Sequence, residues 1–224
     1  MTTIYILMGG PGAGKGTASE FLQEKGYICH STGDMMRQAL FQNHPRVMPY
    51  AEDILHHRPI PPKIIQELIE QCLSDAKRVG KGVVLDGYPK EIEQCLFIDR
   101  FAKEHHVKTV CVLIDVLPDN AAARIRFREV CDRCKKIFNA QFVPPKVTGR
   151  CDDCDIPLSK RADDRVANVE ERIRQFKSRM KPVLDYYGDR LHLLDGNAAP
   201  EICRANFERF YQMQLTEEKT HSSQ

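Results

Sequence analysis

The sequence predicts an α/β fold, a three-layer sandwich in which helices cover both faces of a five-stranded parallel sheet. Short apolar runs alternate with longer amphipathic segments, and a glycine-rich stretch directly follows the first apolar run. This alternation is typical of βαβ units, whose crossover helices make neighbouring strands parallel. A length of 224 residues suits one such unit with insertions.

Five apolar runs are predicted to be strands, and most segments between them are predicted to be helices. The strands are expected at residues 4–8, 27–30, 83–86, 109–116 and 190–194. The helices are expected at residues 16–25, 64–78, 91–104, 118–128, 166–187 and 200–214. Gly26 is a C-terminal stop signal for the first helix, and Pro118 suits the first turn of the fourth.

Two segments interrupt the alternation. Prolines at positions 45, 49, 59, 61 and 62 break the helical pattern of residues 34–62, which indicates a small helical insertion with fixed elbows. Residues 130–159 hold four clustered cysteines and many polar side chains, which indicates a second insertion pinned by a metal. The polar tail at residues 216–224 is expected to be disordered.

The composition excludes several classes of protein. With 33 basic and 31 acidic residues, the net charge is +2, so the chain lacks the positive excess of a non-specific nucleic-acid binder. A hydrophobic content of 42% is that of a globular domain rather than a disordered chain. No apolar run approaches the roughly 20 residues of a membrane-spanning helix, and no signal peptide is evident. We therefore expect a cytoplasmic protein without a membrane partner.

The stretch GGPGAGKGT at residues 9–17 matches the phosphate-binding pattern G-x-x-x-x-G-K. Its glycines allow backbone N–H groups to turn toward phosphate oxygens, and the following helix adds the positive end of its dipole. Lys15 supplies a mobile cation. Thr17, one place later than the strict pattern has its hydroxyl residue, is a candidate ligand of Mg²⁺. Because the motif lies between a predicted strand and a predicted helix, the sequence predicts binding of a nucleoside triphosphate.

Four of the nine cysteines form a second motif. Their spacing is C-x2-C-x16-C-x2-C, at Cys131, Cys134, Cys151 and Cys154. Two such pairs provide four thiolates for a tetrahedral site, so we expect a structural Zn²⁺, with iron as an occasional substitute and no open position for water. Disulfides are disfavoured in the cytosol. The other five cysteines lie in apolar surroundings and are expected to be core thiols.

Further motifs follow in collinear order: HSTGDMMR at residues 30–37, VVLDGYPKEIEQ at 83–94, RIRFR at 124–128 and RADD at 161–164, with Arg172 and the Asp-Gly pair at 195–196. Together with the phosphate loop and the cysteines, they resemble the nucleoside monophosphate kinases, adenylate kinases in particular, over essentially the whole chain. The resemblance implies a core of residues 1–30, 62–126 and 165–224. It also implies a monophosphate-binding insertion at residues 31–61 and a zinc-binding lid at residues 127–164.

The resemblance also implies a reaction and its residues: the γ-phosphoryl group of MgATP would pass to AMP, giving two ADP, in a monomer. The implied ATP site comprises Gly12, Ala13, Gly14, Lys15, Gly16, Thr17, Arg124, Arg128 and Ala198. The implied AMP site comprises Thr32, Gly33, Arg37, Ile60, Gly87, Lys90, Gln94, Arg161 and Arg172. Thr17 and Asp86 would hold Mg²⁺ through water. Phosphoryl transfer needs no protein nucleophile, and the cations expected to neutralise the charge are Lys15, Arg37, Arg124, Arg128, Arg161 and Arg172.

The chain departs from the family pattern at Lys90, where the family usually has arginine. Lysine lacks the bidentate fork of arginine, so we expect weaker AMP binding. The proline-rich stretches at residues 43–49 and 61–63 also differ from the family pattern. The resemblance therefore does not predict the geometry of the first insertion.

Three other functions share some of these sequence features. A UMP or CMP kinase is disfavoured by Thr32 and Gln94, since an amide can both donate to and accept from adenine. A nucleic-acid-binding ATPase is disfavoured by the acidic residues between the cysteines and by the scarcity of aromatic residues there. A catalytically weak relative that senses nucleotides differs from an enzyme only in its rate.

Overall fold

The computed structural model describes residues 3–55, 58, 60–134, 136–160, 164 and 169–221. Its central sheet consists of β1 (Thr3–Met8), β2 (Ile28–Ser31), β3 (Val83–Asp86), β4 (Lys108–Asp115) and β8 (Leu191–Asp195). All neighbouring strands are parallel, in the order β2-β3-β1-β4-β8. Each predicted strand is present, with its ends shifted by no more than one residue.

Eight α-helices lie in the described part of the chain. They are α1 (Lys15–Glu24), α2 (Thr32–Phe41), α3 (Ala51–Leu55), α4 (Pro62–Arg78), α5 (Ile92–Glu104), α6 (Pro118–Arg126), α7 (Val169–Tyr187) and α8 (Pro200–His221). Pro118 begins a helix, as predicted, and so does Pro62, which was predicted only to interrupt the helical pattern. The fixed φ of proline and its missing N–H group suit both residues to the first turn. None of these helices is apolar over a stretch long enough to cross a membrane.

The side chains of β1 alternate between two apolar cores. Ile4 and Ile6 pack with residues of α4, α5 and α7 on one face of the sheet, whereas Tyr5 and Leu7 pack with residues of α1 and α8 on the other. Successive side chains of a strand point to opposite faces, so a strand buried on both sides is continuously apolar. All four of these side chains are at most 2% exposed. The predicted three-layer sandwich is therefore confirmed.

The first insertion contains α2, a short 3-10 helix (Met48–Tyr50) and α3. It has a small core of its own, formed by Met36, Ala39 and Val47, against which side chains from the start of α4 also pack. His56, His57 and Pro59 lie outside the described residues.

The second insertion holds a three-stranded antiparallel sheet that the sequence did not predict. Its strands are β5 (Arg128–Cys131), β6 (Ile137–Asn139) and β7 (Leu158–Ser159), in the order β6-β5-β7. Phe138 is buried against Cys131 and Cys151 in a small core. The strands are too short for an alternating pattern to stand out in the sequence.

Three predicted helix boundaries are wrong by two residues or more. The helix expected to begin at Ile64 begins at Pro62. The helix expected to run to Arg128 ends at Arg126, and Arg128 instead begins β5. The last helix, expected to end at Gln214, continues to His221, so the disordered tail expected from Thr216 is wrong for residues 216–221. Residues 222–224 lie outside the described residues.

Candidate active site

The phosphate loop joins β1 to α1 and owes its shape to glycine. Gly12 and Gly14 have φ angles of +76° and +101°, a region that side chains rarely adopt. A Cβ atom on Gly12 would also lie 2.7 Å from the carbonyl oxygen of Ala121 in α6. Ala13 is buried, and α1 begins at Lys15, with Gly16 and Thr17 in its first turn. The loop therefore presents the positive end of a helix at the carboxyl edge of the sheet.

The Lys15 ammonium lies over this loop. Its Nζ donates hydrogen bonds to the carbonyl oxygens of Gly9 at 2.9 Å and Gly10 at 3.1 Å. It also lies 3.9 Å from a carboxylate oxygen of Asp86, the last residue of β3. The cation of the phosphate loop is thus next to the carboxylate at the end of the neighbouring strand.

Arg124 ties three parts of the chain together. Its Nη1 donates to the carbonyl oxygen of Gly12 at 3.2 Å, and its Nη2 donates to that of Ala198 at 2.7 Å. Its own carbonyl oxygen accepts a hydrogen bond from Nδ2 of Asn139 in β6 at 2.9 Å. The predicted ATP residues Gly12, Arg124 and Ala198 are therefore brought together, and the second insertion is attached to them.

Arg128 and Arg172 share one carboxylate. Asp164 accepts hydrogen bonds from Nε and Nη2 of Arg128 at 2.7 and 2.6 Å and from Nη1 of Arg172 at 3.0 Å. The Asp164 side chain is only 2% exposed. Desolvation acts to raise its pKa, but the hydrogen bonds and charges of the two arginines outweigh it and hold the pKa below its ordinary value. Arg161, predicted to act with them, lies outside the described residues.

The segment after β3 forms the second candidate nucleotide site. The buried Thr32 donates its hydroxyl to the carbonyl oxygen of Gly87 at 3.1 Å and lies 3.4 Å from that of Asp86. The buried Gln94 accepts a hydrogen bond from the backbone N–H of Lys90 at 2.8 Å through Oε1. Two of the residues predicted to contact AMP are thus attached to one backbone segment, close to Lys15.

The ammonium group of Lys90 interacts electrostatically with Lys15, Asp86 and Arg179. The residue is exposed, yet desolvation lowers the pKa of its ammonium group, and the positive charges of Lys15 and Arg179 lower that pKa further. The carboxylate of Asp86 acts in the opposite direction. Cations are therefore concentrated here, as a bound phosphate group requires.

The remaining predicted AMP residues lie in or beside the first insertion. Arg37 forms an ion pair with Asp34 at 2.6 Å, and both side chains are about half exposed, 46% and 50%. Such exposed pairs contribute little to stability, so the guanidinium can exchange this partner for a phosphate at low cost. Gly33 lies in the first turn of α2 beside Arg37. Ile60 packs against the small core of this insertion.

The four clustered cysteines meet in space. Their Sγ atoms all lie within 4.8 Å of one another, and those of Cys134 and Cys151 are 3.6 Å apart. Zn–S bonds of about 2.3 Å in a tetrahedron separate the sulfurs by about 3.8 Å, so the cluster fits zinc. Of the other cysteines, Cys95 and Cys111 are buried, and burial raises the pKa of their thiols to about 11 and about 12. The remaining three, Cys29, Cys72 and Cys203, are partly exposed rather than core residues.

Sequence reasoning missed three residues that position the site. Asp164 belongs to the RADD motif at residues 161–164, and an aspartate among predicted phosphate-binding arginines is itself a signal. Asn139 attaches the second insertion to α6. Asn197 accepts hydrogen bonds from the backbone of Leu117 and the side chain of Asn120, which fixes the loop after β8 to the start of α6. The two asparagines carry no signal in an isolated sequence.

The chain is similar to known proteins over most of its length. The family model described as adenylate kinase matches residues 7–191. The adenylate kinase of Thermotoga neapolitana is 35% identical over 201 residues, covering 88% of this chain and 91% of the relative. That of Archaeoglobus fulgidus is 32% identical over 199 residues, with the same two coverages, and that of Pyrococcus furiosus is 32% identical over 184 residues, covering 81% and 82%. With its P-loop, its five-stranded parallel sheet and its four-cysteine cluster, the chain belongs to the adenylate kinase family of phosphotransferases.

Proposed function

We propose that this protein transfers the γ-phosphoryl group of ATP to AMP, reversibly and with Mg²⁺, to give two ADP. The observation that carries the proposal is the contact between Lys15 and Asp86, 3.9 Å apart. Because Gly87 follows Asp86 and accepts the hydroxyl of Thr32, the triphosphate cradle and the second candidate nucleotide site adjoin. Two nucleotides bound there would meet end to end over Lys15.

The ATP side comprises the loop from Gly12 to Thr17 together with Arg124, Arg128 and Ala198. Backbone N–H groups of the loop would bind the phosphates, as helix N-termini do. The Arg124 side chain, held by the carbonyl groups of Gly12 and Ala198, would cover the base and the phosphates from the other side.

The AMP side comprises Thr32 and Gln94 for the base and a set of cations for the monophosphate. Gly87 leaves room for Thr32, since a Cβ atom there would lie 3.1 Å from the Thr32 hydroxyl oxygen. Gly33 and Ile60 would line the nucleotide. The phosphate-binding cations in this proposal are Arg37, Lys90, Arg161 and Arg172.

The reaction is an in-line displacement in which protein groups align the reactants and offset charge. An oxygen of the AMP phosphate forms a bond to the γ-phosphorus of ATP as the bond from that phosphorus to the β-phosphate oxygen breaks. Lys15, Arg128 and Arg172 offset the charge on the equatorial oxygens. Mg²⁺, held through water by Thr17 and Asp86, would neutralise charge on the β- and γ-phosphates.

We propose that both insertions close over the nucleotides, with a core of residues 1–30, 62–126 and 165–224, the AMP insertion at 31–61 and the lid at 127–164. Closure would exclude water, which otherwise competes with AMP for the γ-phosphoryl group. The lid would be held rigid by a structural Zn²⁺ bound to Cys131, Cys134, Cys151 and Cys154. All four coordination positions would be filled by thiolates, so this metal takes no part in the chemistry.

The proposal is tested by a coupled assay with AMP, CMP, UMP and GMP as acceptors, with metal analysis and light scattering on the same preparation. We expect AMP to be preferred, one zinc per chain and a monomer. Preference for another acceptor would contradict the substrate assignment. Stimulation of ATP hydrolysis by DNA or RNA would favour a nucleic-acid-dependent ATPase instead.

A further inference from the structure

The two side chains assigned to the AMP base are both fixed by the backbone of residues 86–90. Gln94 is 2% exposed, and its Oε1 atom accepts the N–H group of Lys90 at 2.8 Å. Thr32 is 4% exposed and donates its hydroxyl to the carbonyl group of Gly87 at 3.1 Å. Rotating either side chain away from this backbone would leave a buried N–H or carbonyl group without its hydrogen-bond partner, and such an unpaired group costs about 1–3 kcal/mol.

These contacts fix which atoms of the two side chains donate and which accept. A backbone N–H group only donates, so the Gln94 atom facing Lys90 is the carboxamide oxygen, and the amide nitrogen with its two N–H donors occupies the other branch. A carbonyl group only accepts, so the hydroxyl hydrogen of Thr32 is used by Gly87. Toward a base, Gln94 therefore offers donors from Nε2, and Thr32 offers oxygen lone pairs.

This arrangement of donors and acceptors is complementary to an aminopurine and mismatched to an oxopurine. Adenine donates from its 6-amino group and accepts at the adjacent ring nitrogen N1. Hypoxanthine, which has the same size, accepts at O6 and donates from N1–H, so both groups are reversed. A hypoxanthine base would place its N1–H against the N–H donors of Gln94 and its O6 against the lone pairs of Thr32.

We propose that the backbone N–H of Lys90 is a positioning group that sets the donor and acceptor polarity of Gln94, and that the site thereby rejects 6-oxopurine monophosphates. The inference rests on the proposed function, in which Thr32 and Gln94 contact the acceptor base. It assigns to Lys90 a backbone role separate from the side-chain contact with phosphate. Discrimination is based on hydrogen-bond polarity rather than on the size of the base.

The unmodified enzyme provides the first test. Steady-state kinetics with AMP and IMP as acceptors compare two bases of equal size, and we expect kcat/KM for IMP to be lower by at least about 100-fold, because mismatched buried polar groups discriminate strongly. A ratio within about tenfold would overturn the proposal. If AMP itself is not phosphorylated, the proposed function fails instead, so the two failures are distinguishable.

The variant Gln94→Glu tests the polarity itself. One carboxylate oxygen can still accept the N–H of Lys90, while the other replaces the N–H donors by an acceptor suited to N1–H of IMP. At about pH 8, where a carboxyl is ionised, we expect the ratio of kcat/KM for IMP to that for AMP to rise by at least about 100-fold. An unchanged ratio would contradict the proposal, because a merely structural Gln94 would weaken both acceptors alike.

Gln94→Leu is the matched control, since it offers neither donor nor acceptor. We expect it to lose activity with AMP without gaining any with IMP, and to speed hydrogen exchange at the Lys90 N–H by at least about tenfold, since that group loses its buried acceptor. Unchanged exchange at Lys90 would contradict the positioning role. Thermal unfolding and ATP binding show whether each variant is folded, and the comparison of AMP with IMP does not depend on either variant.

Discussion

Asp164 forms a bidentate pair with Arg128, in which Nε and Nη2 donate at 2.7 and 2.6 Å to the two oxygens of a carboxylate that is only 2% exposed. The same carboxylate accepts from Arg172 at 3.0 Å. One carboxylate thus joins β5 to α7. The two arginines, which repel each other, are held side by side by the charge between them.

Replacing Asp164 by asparagine should lower the rate more than it lowers substrate binding. Asparagine is similar in size but lacks the charge and one of the two acceptor oxygens, so Arg128 and Arg172 lose their fixed geometry. We expect kcat to fall by roughly 10- to 100-fold and the free energy of unfolding to fall by about 2 kcal/mol. Steady-state kinetics and denaturant unfolding measure both. The matched control is Asp185→Asn, which removes an exposed pair with Lys181, and an equal loss of kcat in both variants would contradict this role of Asp164.

The contribution of Asp164 to stability should depend on pH in the acid range. Its pKa in the folded protein is below the ordinary value of 3.8, so the stabilisation is fully present above 3.8 and is lost as the pH falls through the lower folded value. We therefore expect the difference in unfolding free energy between the unmodified protein and Asp164→Asn to be constant near neutral pH and to shrink only below 3.8. Loss of zinc in acid affects both proteins and cancels in the difference. A difference that shrinks near neutral pH would contradict the assignment.

The sequence predicted the sheet and the phosphate loop because both depend on local pattern. Strands buried on two faces are apolar throughout, as at residues 83–85, and the glycines of the loop are required by its backbone. The four cysteines were predicted to meet because their spacing is that of a metal site. What could not be predicted depends on contacts between distant residues. The hydrogen bond from Asn139 to Arg124 spans 15 residues, and that from Arg124 to Ala198 spans 74. Neither contact can be predicted from a local sequence pattern.

The short sheet of the second insertion and the end of α6 were missed for a related reason. Phe127 and Arg128 continue the helical pattern of α6, yet the carbonyl of Phe127 accepts a hydrogen bond from the N–H of Ala140 at 3.0 Å. Pairing of β5 with β6 therefore ends the helix, and tertiary contact overrides local propensity. The orientation of the Gln94 carboxamide could not be predicted from the sequence either, because it depends on which backbone group faces the amide.

Removing the metal from the cysteine cluster should destabilise the protein. Without zinc, the four sulfur atoms, which lie within 4.8 Å of one another, lose the ion that joins them, and the small core around Phe138 loses its cross-links. Chelation under reducing conditions should lower Tm by about 5 °C or more, while ATP still binds the phosphate loop. Cys131→Ser should start from the lower Tm and not respond to the chelator, whereas the control Cys203→Ser, outside the cluster, should respond as the unmodified protein does. An unchanged Tm in a protein that holds no zinc would contradict the metal site.

Replacing Lys90 by arginine should strengthen AMP binding and remove a pH dependence. Arginine restores the bidentate fork and stays charged, so we expect KM for AMP to fall by roughly 3- to 10-fold. Desolvation and the charges of Lys15 and Arg179 place the pKa of Lys90 below its ordinary 10.5. The unmodified enzyme should therefore lose affinity for AMP as the pH rises toward that value, because the ammonium that binds the phosphate loses its proton, and Lys90→Arg should not. Steady-state kinetics in the alkaline range measure both effects.

Since the exchange of Lys90 for arginine keeps the backbone N–H that faces Gln94, the ratio of activity with AMP to activity with IMP should stay the same. A variant that binds AMP no better, or that keeps the alkaline loss of affinity, would show that the Lys90 side chain does not contact the phosphate.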